Sequence, residues 1–262
     1  MRQLVKRLIS GTPIEPLATR IARALRGASN SVSIDELNKR YDSQAEQVME
    51  RVLERNSNCI DVGCHIGSVL DLMMRVAPDG HFYAFEPIPH LFASLSTKYQ
   101  SAANVHLFQA ALSDEAGTTS FQHVESNPGY SGLRRRTYSR PDERVVEIDV
   151  ELLRLDDVIA SDVDIRLIKV DVEGAELQVL RGAVETIRRC RPYIVFEHGM
   201  GAADHYGTRP DMVYDVLHEA GLHISTMSDW LSSAGSVGFS REAFIDQFDQ
   251  GRNFYFLAHP TP

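Results

Sequence analysis

The residues of this sequence best suited to chemistry stand at the ends of short apolar runs. Asp61 follows Cys59-Ile60, Glu86 follows Phe82-Tyr-Ala-Phe85, Asp171 follows Leu167-Ile-Lys-Val170, and Glu197-His198 follow Tyr193-Ile-Val-Phe196. Carboxylates and a histidine collected in this way can take a proton, hold hydroxyls or ligate a hard divalent ion such as magnesium. Asp171, Glu197 and His198 are the candidates for a general base or a metal site, with Glu173 as a further catalytic carboxylate. Directly after the first run come Gly63 and Gly67, with Cys64 and His65 between them. Glycine lets a backbone turn sharply and approach a bound molecule closely, and a helix starting there offers unpaired N–H groups. The Gly-x-x-x-Gly spacing lacks the third glycine with which the dinucleotide fingerprint cradles a pyrophosphate, which argues against NAD. An acid two residues before the first glycine suits instead a ligand with a cationic amino acid end, such as S-adenosylmethionine. The alternative is a tight strand-to-helix turn with no ligand.

These residues need strands and helices to position them. Ile60 and Val62 are β-branched and predict a buried strand, and Val69, Leu70, Met73, Met74 and Ala77 predict a helix closed by Pro78-Asp-Gly80. The methionines read as core filler. A second strand over His81–Pro87 places Glu86 at its carboxyl end, about 20 residues beyond the glycine loop, where a carboxylate can accept both hydroxyls of a ribose. Pro89 starts a helix through Leu91, Phe92, Leu95 and Tyr99, and Val105–Ala111 predicts a third strand. Upstream, Ser33 and Glu36 form a capping box ahead of a helix of about five turns carrying Leu37, Tyr41, Ala45, Val48 and Val52.

Residues 113–164 break the alternation of strand and helix. Thr118–Val124 and Val145–Leu153 alternate as strands do, and Pro128–Arg136 lies between them. Tyr130 and Ser131 are candidates to line a substrate lip there. Arg134, with Arg135 and Arg136, could clamp a phosphate or carboxylate, against the alternative of a solvated basic face. In Asp164–Glu176 a strand ends at Asp171, and Gly174 opens a helix through Leu177, Leu180, Ala183, Val184 and Ile187. Alternation puts Lys169 and Asp171 on one side of the sheet, and burying such charge is costly unless it is paired, so Lys169, Asp171 and Glu173 are expected to form a network. After the fifth strand, Thr208-Arg-Pro caps a helix closed by Gly221, and the last strands are His223–Thr226 and Asn253–Ala258. Trp230, between them, is a substrate lid or a core anchor.

Composition narrows the class. At 262 residues, with 24% charged and 43% hydrophobic residues, the chain has the size and balance of one sizeable α/β domain with an extension. We divide it into a basic helical extension, residues 1–32, and a domain over residues 33–262. Three unpaired cysteines predict no disulfide framework and suit a reducing, cytoplasmic location. Residues 1–26 carry a net charge of +5 against −14 for the remainder. An acidic body argues against nucleic acid as a partner, while the basic start suits peripheral contact with the inner face of an anionic membrane. The alternative for that segment is a helix packed on its own domain or on a second copy of the chain in a homo-oligomer.

Taken in order, DVGCHIG, AFEP, the Leu155-Asp-Asp157 turn, KVDVEGAELQVLRGA and RPYIVFEH resemble the FkbM family of S-adenosylmethionine-dependent methyltransferases, over roughly residues 58–199. The resemblance implies the class I methyltransferase fold, a Rossmann-like α/β/α sandwich whose mostly parallel seven-stranded sheet has an antiparallel last strand. It implies an O-methyltransferase acting on a hydroxyl of a sugar in a glycan, glycolipid or natural product. By the same resemblance Asp61, Gly63 and Gly67 hold the methionine part of the cofactor, Glu86 and Pro87 the ribose, and Ala110-Ala111 lie by the adenine. Many members have Ala-Asn where this chain has Cys64-His65, and Cys64 is expected to pack rather than react. A Rossmann-type NAD-linked oxidoreductase and a non-catalytic module retaining the fold are the rivals. The first lacks its glycine fingerprint and a Tyr-x-x-x-Lys pair here, and the intact set of Asp61, Glu86 and Asp171 speaks against the second.

Overall fold

A computed structural model describes residues 34–136, 143–233 and 238–261. The proposed basic extension and the Ser33 half of the capping box lie outside these residues.

The described chain opens with helix α1, Ile34–Val52, which buries Tyr41, Val48, Met49 and Val52 along one face. Strand β1, Cys59–Val62, leads through the glycine loop to α2, Ser68–Val76; β2, Phe82–Phe85, leads to α3, Pro89–Lys98; β3, Val105–Phe108, follows. Then come β4, Ala110–Leu112, β5, Gly117–Val124, and β6, Val145–Leu153. The rest of the chain supplies α4, Leu155–Val158; β7, Leu167–Val170; α5, Glu176–Arg181; α6, Val184–Cys190; β8, Tyr193–Glu197; and α7, Pro210–Glu219. Strand β9, His223–Ser225, α8, Met227–Ser232, α9, Arg241–Asp249, and β10, Tyr255–His259, complete it.

Seven strands form the main sheet in the order β3-β2-β1-β7-β8-β10-β9, with β10 antiparallel to both its neighbours and the pairs from β3 to β8 parallel. This is the doubly wound arrangement that the family resemblance implies, antiparallel strand included. Its strand order reverses between β1 and β7, and ligands of open α/β sheets bind outside the carboxyl ends at such a switch point. Alternation along the strands divides the core in two. Ile60, Val62, Ile168, Val170 and Phe196 face α5 and α7, while Cys59, Leu167, Val195 and Leu257 face α1, α2 and α8. Among the described residues no helix is long and apolar enough to cross a membrane.

Two expectations change here. The predicted third strand breaks at Gln109: β3 ends the main sheet, and Ala110–Leu112 turn away to pair with β6 in a second, three-stranded sheet, β4-β6-β5. Residues 113–164 therefore hold a sheet beside the carboxyl edge. The helix predicted from Gly174 to Ile187 is also divided, into α5 and α6. At Gly182 a Cβ would lie 2.0 Å from the Ser113 carbonyl oxygen, so only glycine permits this approach of the two backbones. Asp156 of the Leu-Asp-Asp turn then caps α6, accepting from the N–H groups of Glu185 at 3.1 Å and Thr186 at 2.9 Å.

Candidate active site

The loop after β1 is shaped by its backbone. Gly63 and Gly67 have φ of +73° and +80°, and a Cβ on Gly63 would stand 2.1 Å from the Asp171 carbonyl oxygen. Side chains are excluded from Gly63 by both conformation and space. The N–H groups of Gly63 and Cys64 donate to the Phe85 carbonyl, tying the loop to the end of β2. Cys64 is 4% exposed, and burial pushes its thiol well above the usual range, so it packs as expected. His65, with φ +50°, donates its N–H to Glu86 Oε2 at 2.9 Å. Burial, then the Lys169 charge, hold its imidazole below the usual histidine range.

Glu86 is buried at the carboxyl end of β2, and its Oε1 accepts the Ile88 N–H at 2.9 Å. Burial pushes its carboxyl up to about 7, opposed by these two main-chain donors. Glu86, Pro87, Ala110 and Ala111 line the same cavity as Gly63, Cys64 and His65, a space of about 570 Å³. Such a volume is ordinary for a small-molecule site.

Asp61 is placed differently from its expected role. It is fully buried beneath the loop, where its carboxylate lies 3.6 Å from Lys169 Nζ. Burial raises its pKa against the opposing charge of Lys169. Lys169 Nζ is also 3.6 Å from Asp171 Oδ2, and it donates to the Gly63 carbonyl at 3.1 Å. Asp61 thus acts on the loop from behind, through Lys169 and Gly63, rather than from the cavity wall. Gly67, likewise off the wall, sits at the N-terminal cap of α2. The network contains Asp61, Lys169 and Asp171 but not Glu173, which pairs with Arg136.

Asp171, Glu173 and Glu197 bring carboxylate oxygens within 4.8 Å of one another at the far wall of the cavity. Tyr255 donates its hydroxyl to Asp171 Oδ2 at 2.8 Å. Burial opposes ionisation of Asp171, but Lys169 and the hydrogen bonds of Tyr255 and Glu197 outweigh it and hold the carboxyl below its usual range. Burial and the charge of Asp171 drive Glu197 the other way, well above the usual range. The two environments thus push the pair apart in acidity, the division that separates a base from a proton donor.

His198 is a correction. Strand alternation turns it to the sheet face opposite Glu197, where it is 1% exposed and stacks on Phe248 at 4.8 Å and Phe244 at 6.0 Å. Neither ring nitrogen meets a hydrogen-bond partner among the described residues, and burial lowers its pKa to about 4. It is neither base nor metal ligand. The three carboxylates lie close enough to share one ion, but Lys169 stands beside Asp171 and Arg136 pairs with Glu173, so cations of the chain already balance two of them. Such a set offers a hard cation little uncompensated negative charge.

At the lip, Tyr130 lines the cavity beneath the Arg136 guanidinium, which lies 4.9 Å above its ring. Ser131 lines it too, but its Oγ accepts the Val124 N–H at 3.0 Å and fastens the loop to β5. Arg134 is exposed and lies over the Tyr206 ring at 5.7 Å, away from the cavity; Arg136 takes the place foreseen for it. Trp230 is no lid. On α8, it is 6% exposed and packed into the core shared with α1, edge-on to Tyr193 at 5.5 Å.

Sequence reasoning missed Asn38, Asp42 and Tyr255 on the wall. Asn38 and Asp42 are four apart on α1, a spacing that marks one helix face, and Tyr255 shares a strand face with buried Leu257. Neither pattern says that the face borders a cavity.

A family model described as the methyltransferase FkbM domain matches residues 61–224. The methyltransferase sdnD of Sordaria araneosa is 35% identical over 162 residues, which cover 51% of this chain and 62% of that protein. The 2-O-methyltransferase NoeI of Sinorhizobium fredii is 32% identical over 145 residues, covering 50% of this chain and 59% of that protein. The chain thus matches about three fifths of the length of these curated relatives. The crystal structure of an FkbM methyltransferase from Methylobacillus flagellatus KT superposes with a TM-score of 0.48 at 14% identity, over 80% of this chain and 45% of that one. The matched family segment runs from Asp61 in β1 to Ile224 in β9, more than half of the chain, and so the chain belongs to the methyltransferase FkbM domain family.

Proposed function

We propose that the protein is an S-adenosylmethionine-dependent O-methyltransferase acting on a hydroxyl of a sugar in a glycan, glycolipid or natural product. The observation that carries this reading is convergence: a glycine loop and a buried acid suited to a nucleoside share one cavity with Asp171, held by Lys169 and Tyr255, and its neighbour Glu197. The relative that is a 2-O-methyltransferase supports oxygen as the acceptor atom.

The cofactor supplies an activated methyl group, which passes from sulfur to the acceptor oxygen as the C–S bond breaks and the C–O bond forms. Glu86 suits the ribose because its buried carboxyl can take further hydrogen bonds at the wall, while Ala110 and Ala111 leave room beside it. Asp171 takes the proton that leaves the acceptor hydroxyl. Glu197, holding its own proton, donates to Asp171 or to the acceptor and keeps the pair at a single negative charge. Positioning of reactants in such a site supplies roughly 7–11 kcal/mol and a placed base typically about 10²–10⁴-fold.

Calorimetric titration with S-adenosylhomocysteine and with NAD, repeated on Glu86→Ala, tests the reading. Micromolar binding of the first alone, weakened by the substitution, supports it; binding of NAD, or of neither ligand, removes it. EDTA is expected to leave methyl transfer unchanged.

A further inference from the structure

We propose that Tyr255 is a positioning residue for the reaction: paired across the sheet with Glu197, its phenol holds the Asp171 carboxylate in place for the acceptor hydroxyl. The inference rests on the reading of Asp171 as the base. Tyr255 lies beyond the segment that the family model matches, on the antiparallel strand β10. Its register partner on β8 is Glu197, so both side chains leave the sheet on the face that carries Lys169 and Asp171. The Tyr255 hydroxyl and Lys169 Nζ both meet the same carboxylate oxygen, Oδ2, at 2.8 and 3.6 Å.

The phenol is itself held. Its ring packs against that of Tyr41 on α1 with centroids 5.2 Å apart. The Tyr41 hydroxyl accepts the Phe254 N–H and donates to Asn253 Oδ1, each at 3.3 Å, which ties the start of β10 to α1. The charged and titratable groups facing Asp171 are Lys169 on its own strand, Glu173 two residues on with its partner Arg136, Asp61 on β1, Asp42 on α1, Glu176 on α5, Glu197 on β8 and His65 in the glycine loop. Lys169 is the cation in contact with it, and most of the others oppose a second negative charge. Removing the phenol leaves this set in place and takes away one donor to the ionised form, so Asp171 must then titrate at higher pH.

The test is carbon-13 NMR of the full chain labelled at aspartate carboxyl carbons, with the Asp171 signal assigned by its disappearance in Asp171→Asn. In Tyr255→Phe, which loses one hydroxyl and no ring volume, the Asp171 midpoint is expected to rise by about one pH unit. The acid limb of methyl transfer should move with it, and affinity for S-adenosylhomocysteine should stay within about twofold of wild type. An unmoved midpoint overturns the proposal, as does a large loss of S-adenosylhomocysteine binding in Tyr255→Phe, which would put the phenol on the cofactor wall. Failure of the wild type to bind S-adenosylhomocysteine is a separate result: it removes the methyltransferase reading, and with it the reaction that Tyr255 would serve, whatever the midpoint does.

Discussion

The near wall of the cavity, Gly63 to His65 with Glu86, is held by main-chain donors that bond the Phe85 carbonyl and the Glu86 carboxyl, whereas the far wall, Asp171 with Glu197 and Tyr255, is held by side-chain contacts among buried charges. Under the proposed function, the difference separates binding from chemistry. Main-chain donors and glycine geometry set the shape of this cradle, in which Glu86 is the acceptor whose carboxyl burial pushes up to about 7. Coupled carboxyls make a wall whose charge can shift by a proton, as the proposed transfer to a hydroxyl would require.

The sharpest way to break this contrast is Asp171→Asn. Turnover in a radiolabelled methyl-transfer assay should fall by roughly 10²–10⁴-fold with S-adenosylhomocysteine affinity little changed. Normal turnover would remove the far wall from the chemistry. Next in size is Lys169→Met, which leaves Asp61 and Asp171 without their shared cation; a loss of about 3–5 kcal/mol in urea unfolding is expected. A smaller loss would mean that the walls are not joined through Lys169.

Glu86→Ala should do the reverse of Asp171→Asn, weakening S-adenosylhomocysteine by roughly 10- to 100-fold, the worth of hydrogen bonds to a charged group. Equal damage to binding from both variants would erase the distinction. The smallest effect is expected at His198, just past the β8 end that carries Glu197 but on the opposite face. Its folded pKa of about 4 lies below the ordinary histidine value of 6.5, so between those values the unfolded chain takes up a proton that the folded chain refuses. Stability is therefore lost as pH falls, by about 2 kcal/mol between pH 7.5 and 5 from this group alone. Urea unfolding of His198→Phe should show a flatter pH dependence and unchanged methyl transfer, and a loss of activity would return His198 to the site.

Several features could be read directly from the chain because each depends on residues close in sequence. The strand-turn-helix around Gly63, the acid at the end of β2 and the apolar periods of α1 and α2 are local patterns with local causes. The seven-stranded sheet and its antiparallel strand were implied by the family that the ordered motifs resemble. What tertiary structure alone decided was which face each titratable group meets. Glu197 and His198 are adjacent in sequence, yet a single step of strand alternation sends one to Asp171 and the other into a phenylalanine pocket. Of the three arginines, Arg136 reaches the cavity wall and Arg134 does not, beyond the bridge of Gln122 and Gly132 that holds the loop to β5. Asn38, Asp42 and Tyr255 reach the cavity from opposite ends of the chain, brought there by packing of α1 and pairing of β10. Contacts between distant segments follow from burial of shared apolar faces and from strand register, neither of which has a signature within one short stretch of sequence.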